Sequence, residues 1–223
     1  MNNPINQTID LKAVKEQNRY GELPLHCALQ EKVSDDIIRE LFKAYPKAAK
    51  VADKYRKCLP LHYAIYYNAS SDIIKMILKA YSEAAKEKDN GGWLPLHIAL
   101  NHEASPDTVK MLLKAYPEAS KVRNMYGDLP LHAALDKKFS AFVISMIVAS
   151  YRDAVKEKTN SGWLPLHIAI QTRAGPVMIK MIFREYPEAV KEKNNGGWLP
   201  LHIDLCQFLC FFPCRLLERR GWD

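Results

Sequence analysis

The sequence predicts an all-α solenoid, a stack of helix-turn-helix repeats joined by short finger turns. Two observations support this fold class. The tetrapeptide LPLH occurs six times at nearly constant spacing, and five of its copies precede an apolar run that closes on a tyrosine. Self-similarity at a period of about 20–50 residues is typical of stacked supersecondary units. We therefore expect each repeat to bury its apolar surface against its neighbours in the stack.

The histidines of LPLH give the length of one repeat. Successive histidines are 36, 35, 35, 35 and 35 residues apart. They are His26, His62, His97, His132, His167 and His202. The seventh histidine, His102, lies outside this register. A repeat of 35 residues has room for two helices and two turns.

Each repeat is predicted to contain a short helix followed by a longer one. The proline of LPLH suits the first turn of a helix, where its missing N–H costs no hydrogen bond. Eight residues after the histidine stands a residue suited to cap the longer helix. These residues are Ser34, Ser70, Ser105, Ser140 and Gly175. The apolar residues that follow recur at helical spacing. Five tyrosines close the runs, and we expect them to pack in the joint between repeats: Tyr45, Tyr81, Tyr116, Tyr151 and Tyr186.

A turn is predicted between the end of one repeat and the next LPLH. Segments such as PKAAK and PEAVK, which follow the tyrosine, indicate one more helical turn. A glycine then stands two places before the leucine of LPLH, where a positive φ would favour it. In the second repeat Lys57 takes this place, at a cost of about 1 kcal/mol if the backbone is left-handed.

The repeats resemble the ankyrin repeat, which carries TPLHxA in a unit of about 33 residues. Five copies here read LPLHxA, at residues 23–28, 59–64, 94–99, 129–134 and 164–169. Leucine replaces threonine in every copy, and the repeat is about two residues longer. Both departures are systematic, so the chain resembles a variant of the family.

The periodicity divides the chain into a lead-in, five repeats and an atypical end. Residues 1–17 are a polar lead-in, and residues 194–223 form an incomplete sixth repeat with an unrelated tail. The five repeats are predicted at 18–53, 54–88, 89–123, 124–158 and 159–193. In the sixth, Asp204 falls where the other five have alanine, and a buried unpaired carboxylate is costly. This end is either a degenerate cap or an interrupted array.

Composition predicts an intracellular protein of the cytoplasm or nucleus. The chain is 48% hydrophobic and 26% charged, without an apolar stretch long enough to span a bilayer. No signal peptide is evident, so the five cysteines are expected to be reduced thiols. The net charge is +7, and residues 54–88 carry seven Lys or Arg against three Asp or Glu. The positive residues are interleaved with acids, as in KAYSEAAKEKD at Lys79–Asp89, so we do not expect nucleic acid as the main partner.

No catalytic or metal site is predicted. Neighbouring histidines would be about 8–10 Å apart in stacked helices, too far to share an ion. We expect each imidazole to bond backbone groups and join repeats, as the ankyrin resemblance also implies. Three cysteines, Cys206, Cys210 and Cys214, would share a helix face, but Pro213 interrupts that helix and no fourth ligand is evident. We predict no cofactor, no metal and no enzymatic activity.

The residues that vary within the constant frame are the predicted binding surface. They lie in the finger turn and just after the short helix, and the resemblance implies a concave surface that meets partners. The hypothesis names Tyr20, Glu22, Tyr55, Arg56, Tyr66, Tyr67, Trp93, Asn101, Tyr126, Asp128, Trp163 and Trp198. Tryptophan often anchors protein interfaces. The alternative, that each indole packs on the adjoining finger, stays open.

Three functions are compatible with the sequence. The first is a monomeric, non-catalytic scaffold that binds another protein on its concave face. The second is a binder of nucleic acid or acidic surfaces through the basic second repeat, which would show steep salt dependence. The third is a fragment of a larger protein whose effector domain is absent.

Overall fold

The computed structural model describes residues 12–203, and no β-strand occurs in this range. Five short helices alternate with five longer ones. The short helices are α1 (Pro24–Gln30), α3 (Pro60–Tyr66), α5 (Pro95–Asn101), α7 (Pro130–Asp136) and α9 (Pro165–Gln171). The longer helices are α2 (Asp35–Ala44), α4 (Ser71–Ala80), α6 (Pro106–Ala115), α8 (Ala141–Ser150) and α10 (Pro176–Glu185). Residues 200–203 are again helical. The predicted all-α class is confirmed.

Short 3-10 helices complete the repeats. One precedes α1, and one follows each longer helix, at Ala13–Lys15, Pro46–Lys50, Ser82–Lys86, Pro117–Lys121, Arg152–Lys156 and Pro187–Lys191. The last five are the extra helical turns predicted after each tyrosine. Alanines in them are almost fully buried, for example Ala84 and Ala154. Each 3-10 segment therefore packs into the stack.

The longer helices begin and end where the sequence predicts. Their N-caps are the predicted serines and Gly175, and their C-caps are the five tyrosines. The hydroxyls of Ser70 and Ser105 each accept a 3.3 Å hydrogen bond from a backbone N–H of the first turn. Ser34 and Ser140 occupy the cap position without such a bond. The tyrosines are half-buried.

The turns before LPLH have the left-handed backbone that their glycines predict. Gly21, Gly92, Gly127, Gly162 and Gly197 have φ between +77° and +83°. Lys57 has φ +57°, so the left-handed backbone considered for it in the sequence occurs. A second left-handed residue, between the two helices of a repeat, was not predicted. It is Lys32, Asn68, Glu103, Lys138 or Arg173 in the five repeats, with φ of 52–58°. No glycine marks it in the sequence.

The chain divides into two structural units, Met1–Met125 and Tyr126–Asp223. In the first, the short helices α1, α3 and α5 pack side by side, and the longer helices α2, α4 and α6 do the same. In the second, α7 packs on α9 and α8 on α10. Each unit is therefore a stack of helix pairs, the arrangement of an ankyrin-type solenoid.

The core of each unit lies between the helices of neighbouring repeats. The alanine of LPLHxA is fully buried at Ala64, Ala99, Ala134 and Ala169. Because these alanines are fully buried, a larger side chain at these positions would have to displace its neighbours. Asp204, the tail beyond it and Cys206, Cys210 and Cys214 lie outside the described residues. The predicted repeat limits stay a sequence prediction. No helix within residues 12–203 has the length and apolar character that a bilayer crossing requires.

Candidate functional site

In five finger turns of residues 12–203, a polar side chain closes the turn by accepting backbone N–H groups. In the second repeat, Asp53 Oδ1 accepts the backbone N–H groups of Tyr55 and Arg56, at 2.9 and 2.6 Å. Asn18, Asp89, Thr159 and Asn194 accept comparable bonds in other turns. A side chain that bonds the backbone a few residues on is a common way to stabilise a turn. These closures hold the candidate binding residues in place.

Consecutive finger turns are also bonded to each other. The Asn90 side chain donates a 2.7 Å hydrogen bond to the carbonyl oxygen of Tyr55, 35 residues earlier. Asn160 bonds Tyr126 O at 2.7 Å, and Asn195 bonds Asn160 O at 3.0 Å. We call these bonds the asparagine ladder. It satisfies carbonyl groups at the finger tips that would otherwise depend on water.

All six LPLH histidines accept a backbone N–H at Nδ1, and four of them also bond a backbone carbonyl through Nε2, whereas His26 Nε2 is buried without a partner among residues 12–203. Nδ1 accepts the N–H of the leucine three residues earlier, at 3.0–3.3 Å, in all six copies. Because Nδ1 accepts, the neutral ring carries its proton on Nε2, which can then donate. Nε2 lies 2.9–3.1 Å from a carbonyl oxygen of the following segment, as in His62 to Glu87, His97 to Val122, His132 to Glu157 and His167 to Trp198. These four imidazoles therefore link consecutive segments of the stack.

Burial keeps these imidazoles neutral. It lowers the pKa of His26, His62, His97 and His167 below the ordinary value of 6.5. A neutral ring has one donor and one acceptor, which are the two groups that the backbone contacts use. Within residues 12–203 no three His, Cys, Asp or Glu side chains cluster as a metal site would require.

A cavity of about 320 Å³ opens between the second and third repeats. We call it the tyrosine pocket. Its lining residues include the aromatic side chains of Tyr63, Tyr66, Tyr67, Trp93 and His102, together with the polar side chains of Arg56, Asp89 and Asn101. Four of the five aromatic residues come from the short helices α3 and α5 or the residue after them. The repeat geometry therefore brings side chains from two consecutive repeats around one opening.

The rings of the tyrosine pocket pack against one another and remain partly exposed. Tyr66 lies edge-on to Tyr67 with ring centroids 5.0 Å apart, and 4.3 Å from the ring of His102. Tyr63 lies 6.0 Å from Tyr67. Tyr66 is 47% exposed, which is high for a large aromatic residue in contact with two others. The cluster thus offers a preformed apolar surface to solvent.

Arg56 places a positive charge at the edge of this surface. Partial burial acts to lower the pKa of Arg56, but a hydrogen bond with Tyr67 and the nearby Tyr63 and Cys58 act to raise it, and the net result is a raised pKa. The guanidinium is therefore charged at every physiological pH. Arg56 is exposed.

A second cavity, of about 250 Å³, adjoins the first and shares Arg56 and Tyr63 with it. Tyr20, Glu22, Asp53 and Tyr55 complete its lining. The rings of Tyr20 and Tyr55 lie edge-on, 6.1 Å apart. The hydroxyl of Tyr63 lies 2.8 Å from Glu22 Oε1 and 3.2 Å from Asp53 Oδ2. The carboxylates here are engaged with donors of their own chain.

The family is indicated by the sequence of the first three repeats. The family model described as ankyrin repeats (3 copies) matches residues 25–123. These residues form three helix pairs, and His62 and His97 link the second and third of them to the backbone of the following segment.

Residues 25–123 contain ankyrin repeats.

Solved structures of low sequence identity share this fold. The ankyrin repeat domain of Bcl-3, a member of the IkappaB protein family, matches with a TM-score of 0.65 and 21% identity over 85% of this chain and 81% of that one. A chain from the complex of the predatory endopeptidase Bd0816 of Bdellovibrio bacteriovorus with immunity protein Bd3460 matches with a TM-score of 0.68 and 19% identity, over 85% and 92%. A search of curated protein sequences found no match.

The ankyrin fold brings together all eight candidate residues of the first structural unit. Each lines one of the two adjoining cavities: Tyr20, Glu22, Tyr55, Arg56, Tyr66, Tyr67, Trp93 and Asn101. The candidates of the second unit lie in its finger turns. Tyr126 is 61% exposed, and Asp128 is half-buried. Their role in binding stays a prediction.

The tryptophans of the ankyrin fingers pack on histidines of their own repeats. Ring centroids are 6.2 Å apart for Trp93 and His97, 5.8 Å for Trp163 and His167, and 6.3 Å for Trp198 and His202. Trp93 Nε1 lies 3.2 Å from Met125 Sδ. Trp93 also lines the tyrosine pocket. Packing on the finger and presenting a face to a partner are therefore compatible at this residue.

Sequence reasoning missed several lining residues of the tyrosine pocket, among them the aromatic residues Tyr63 and His102. Tyr63 follows His62 directly, where the other repeats have cysteine, isoleucine or alanine. His102 follows the short helix, where it replaces Tyr67 of the preceding repeat. Both residues depart from the repeat pattern in the sequence, Tyr63 as an aromatic residue where the other repeats have none and His102 as a histidine outside the register.

Proposed function

We propose that this chain is a non-catalytic scaffold that binds another protein on the surface formed by its finger turns and short helices. The tyrosine pocket carries the proposal. Partly exposed aromatic rings beside an arginine have the composition of interface anchors. The structures it resembles support the fold of such a scaffold. The partner would be an intracellular protein, and one copy of the chain would suffice to bind it.

Rigid presentation is the mechanism that we propose. The imidazole bridges, turn closures and asparagine ladder fix the backbone on which the binding side chains stand. Because these groups are ordered before a partner arrives, binding costs less conformational entropy than it would for a mobile loop. Specificity would then depend on the side chains that differ from finger to finger.

Capture of proteins from an intracellular extract tests this function. The immobilised chain is compared with the variant Tyr66→Ala/Trp93→Ala, after circular dichroism shows equal helical content. We expect the wild-type chain to retain a defined set of proteins and the variant to lose them. The matched control is Phe142→Ala/Val177→Ala, which removes two exposed apolar side chains, 56% and 73% exposed, from the longer helices.

Two outcomes would contradict the proposal. Retention of the same proteins by Tyr66→Ala/Trp93→Ala but not by the control variant would move the binding surface to the longer helices. Capture that depends on nucleic acid, and disappears after nuclease treatment, would favour the basic second repeat as a nucleic-acid surface.

A further inference from the structure

The tyrosine pocket has the dimensions of a site for one side chain. Its volume of about 320 Å³ lies at the lower end of the range for ligand sites in proteins. One aromatic or large aliphatic side chain with its adjoining backbone fits such a volume. The rings of Tyr66, Tyr67 and His102 form part of its wall, and aromatic walls favour an apolar or aromatic occupant.

The Asn101 side chain is a polar group of the pocket wall that can bond the backbone of a bound peptide. Asn101 ends the helix α5, is exposed and lines the pocket. Within residues 12–203 its side chain forms no hydrogen bond. An amide side chain carries one acceptor and two donors, the complement of a peptide group. A peptide backbone that passes over the pocket could therefore be held beside its anchoring side chain.

Around the pocket the carboxylates have hydrogen-bond partners, whereas the positive side chains of the adjacent finger turn form no salt bridge within residues 12–203. Asp89 Oδ1 accepts the Trp93 N–H at 2.8 Å, and Glu22 and Asp53 accept the bonds described above. The cations of the adjacent finger turn are not paired in this way. Within residues 12–203, Lys54, Arg56 and Lys57 form no salt bridge, and all three are exposed.

We propose that the tyrosine pocket binds a short extended peptide segment of the partner that inserts an aromatic or large aliphatic side chain and presents an adjacent Asp or Glu to Arg56. The proposal rests on the scaffold function and specifies the chemistry of the partner. Arg56 is suited to a carboxylate because its planar guanidinium can donate two parallel hydrogen bonds to it. The surplus of four positive charges in residues 54–88, seven Lys or Arg less three Asp or Glu, attracts an acidic segment before it docks.

The pocket favours a peptide over a nucleic acid. Tyrosine rings beside an arginine could stack on bases, but nucleic-acid affinity depends on several phosphate contacts. Only one of the lining residues is an arginine, none is a lysine, and Asp89 lies among them. One carboxylate beside one apolar side chain matches this lining better than a chain of phosphates does.

Selection from a phage-displayed library of random 12-residue peptides tests the proposal. The full chain is immobilised, and the most enriched peptide is then synthesised with a fluorescein label for anisotropy measurements. We expect enriched sequences to combine an aromatic or large aliphatic residue with an Asp or Glu within three positions. Arg56→Gln and Tyr66→Ala should each weaken binding at least about tenfold. Arg56→Lys should recover part of the loss.

Two controls make the result specific to the pocket. Lys79→Gln removes a positive charge from the same repeat but from the longer helix α4, and should change the affinity less than about twofold. Replacing the acidic residue of the peptide with Asn should weaken binding to the wild-type chain but hardly weaken it further with Arg56→Gln. Such coupling would show that the two groups meet.

Several results would overturn the proposal. Enriched peptides without an acidic residue, or peptides whose affinity ignores Arg56 and Tyr66, would leave the scaffold function standing and refute this site. An absence of enrichment, with proteins still captured from the extract, would do the same. Tighter binding of a labelled 12-nucleotide single-stranded RNA, lost in both variants, would assign the pocket to nucleic acid.

Discussion

The hydroxyl of Tyr63 lies 2.8 Å from Oε1 of Glu22, a residue 41 positions earlier in the chain. It also lies 3.2 Å from Oδ2 of Asp53, which is 3% exposed. The single phenolic proton of Tyr63 is thus shared between two carboxylates, which belong to neighbouring finger turns. Burial and the hydrogen bond to Glu22 raise the pKa of Tyr63, so the phenol keeps this proton.

Removal of this hydroxyl should destabilise the first structural unit. We expect Tyr63→Phe to lower the free energy of unfolding by about 1–2 kcal/mol, because both carboxylates lose a donor. Urea denaturation followed by circular dichroism measures the change. The control is Tyr66→Phe, whose hydroxyl contacts no carboxylate within residues 12–203 and whose effect should stay below about 0.5 kcal/mol. Equal effects of the two substitutions would show that the shared proton contributes nothing.

Glycine at the finger tip should matter most where the next finger approaches it. Gly21→Ala would place a Cβ atom 2.8 Å from the backbone nitrogen of Lys54, which donates a 3.0 Å bond to Tyr20 O. Gly92 has the same left-handed backbone, with φ +78°, but no atom of residues 12–203 lies within 4 Å of its added Cβ. We expect Gly92→Ala to cost about 1–2 kcal/mol through backbone conformation alone. Gly21→Ala should cost about 1 kcal/mol more through the broken bond. Thermal and urea denaturation compare the two variants, and a smaller loss for Gly21→Ala would contradict the predicted clash.

Acid should weaken the stack through its histidines. The folded chain lowers the pKa of His62, His97 and His167, with burial as the largest cause, whereas the unfolded chain leaves them near 6.5. Below about pH 6.5 the unfolded state therefore binds more protons, and the free energy of unfolding falls as the pH decreases further. Each such histidine contributes up to about 1.4 kcal/mol per pH unit until its folded pKa is reached.

Urea denaturation at pH 7.5, 6.0 and 5.0 measures this slope. His97→Gln should be less stable than the wild-type chain at pH 7.5 but should show a shallower loss on acidification. His102→Gln, at an exposed histidine outside the repeat register, serves as the control. A slope unchanged by His97→Gln would mean that other groups, such as carboxylates, dominate the acid response.

Cys58 should be the less reactive of the two described thiols. Burial, reinforced by Asp53, raises the pKa of Cys58 to about 12, whereas Cys27 is only partly buried. At pH 8 about one Cys58 thiol in ten thousand would be ionised, and the thiolate is the reactive form. We expect iodoacetamide to alkylate Cys58 at least about tenfold more slowly than Cys27, measured by peptide mass spectrometry. In urea the two rates should converge, and similar rates in the folded protein would contradict the burial of Cys58.

The parts of the fold that depend on local backbone chemistry were predictable from the sequence. Proline, serine and glycine mark where helices begin and where φ becomes positive, and each of these marks recurs with the period. The left-handed residue between the two helices was missed because four of the five residues there, Lys32, Glu103, Lys138 and Arg173, are types that seldom adopt a positive φ. Only Asn68 is a type that favours it.

The candidate site was only partly predictable because its walls come from two repeats at once. The exposed residues Tyr66 and Trp93 were identified from variation at fixed positions. Tyr63 was not, because its importance depends on Glu22 and Asp53, which reach it only after the repeats stack. The candidate binding residues of the second unit are supported only by their position in the repeat.

The asparagine ladder has a consequence for how such a protein can change its length in evolution. Asn90, Asn160 and Asn195 each take a partner 34 or 35 residues earlier. A duplicated 35-residue block would carry its own asparagine side chain and its own finger-tip carbonyl. No ladder bond would therefore lose its partner at either new junction. The array can therefore gain or lose whole repeats without a change in its core packing. Tip residues such as Tyr66 can diversify afterwards.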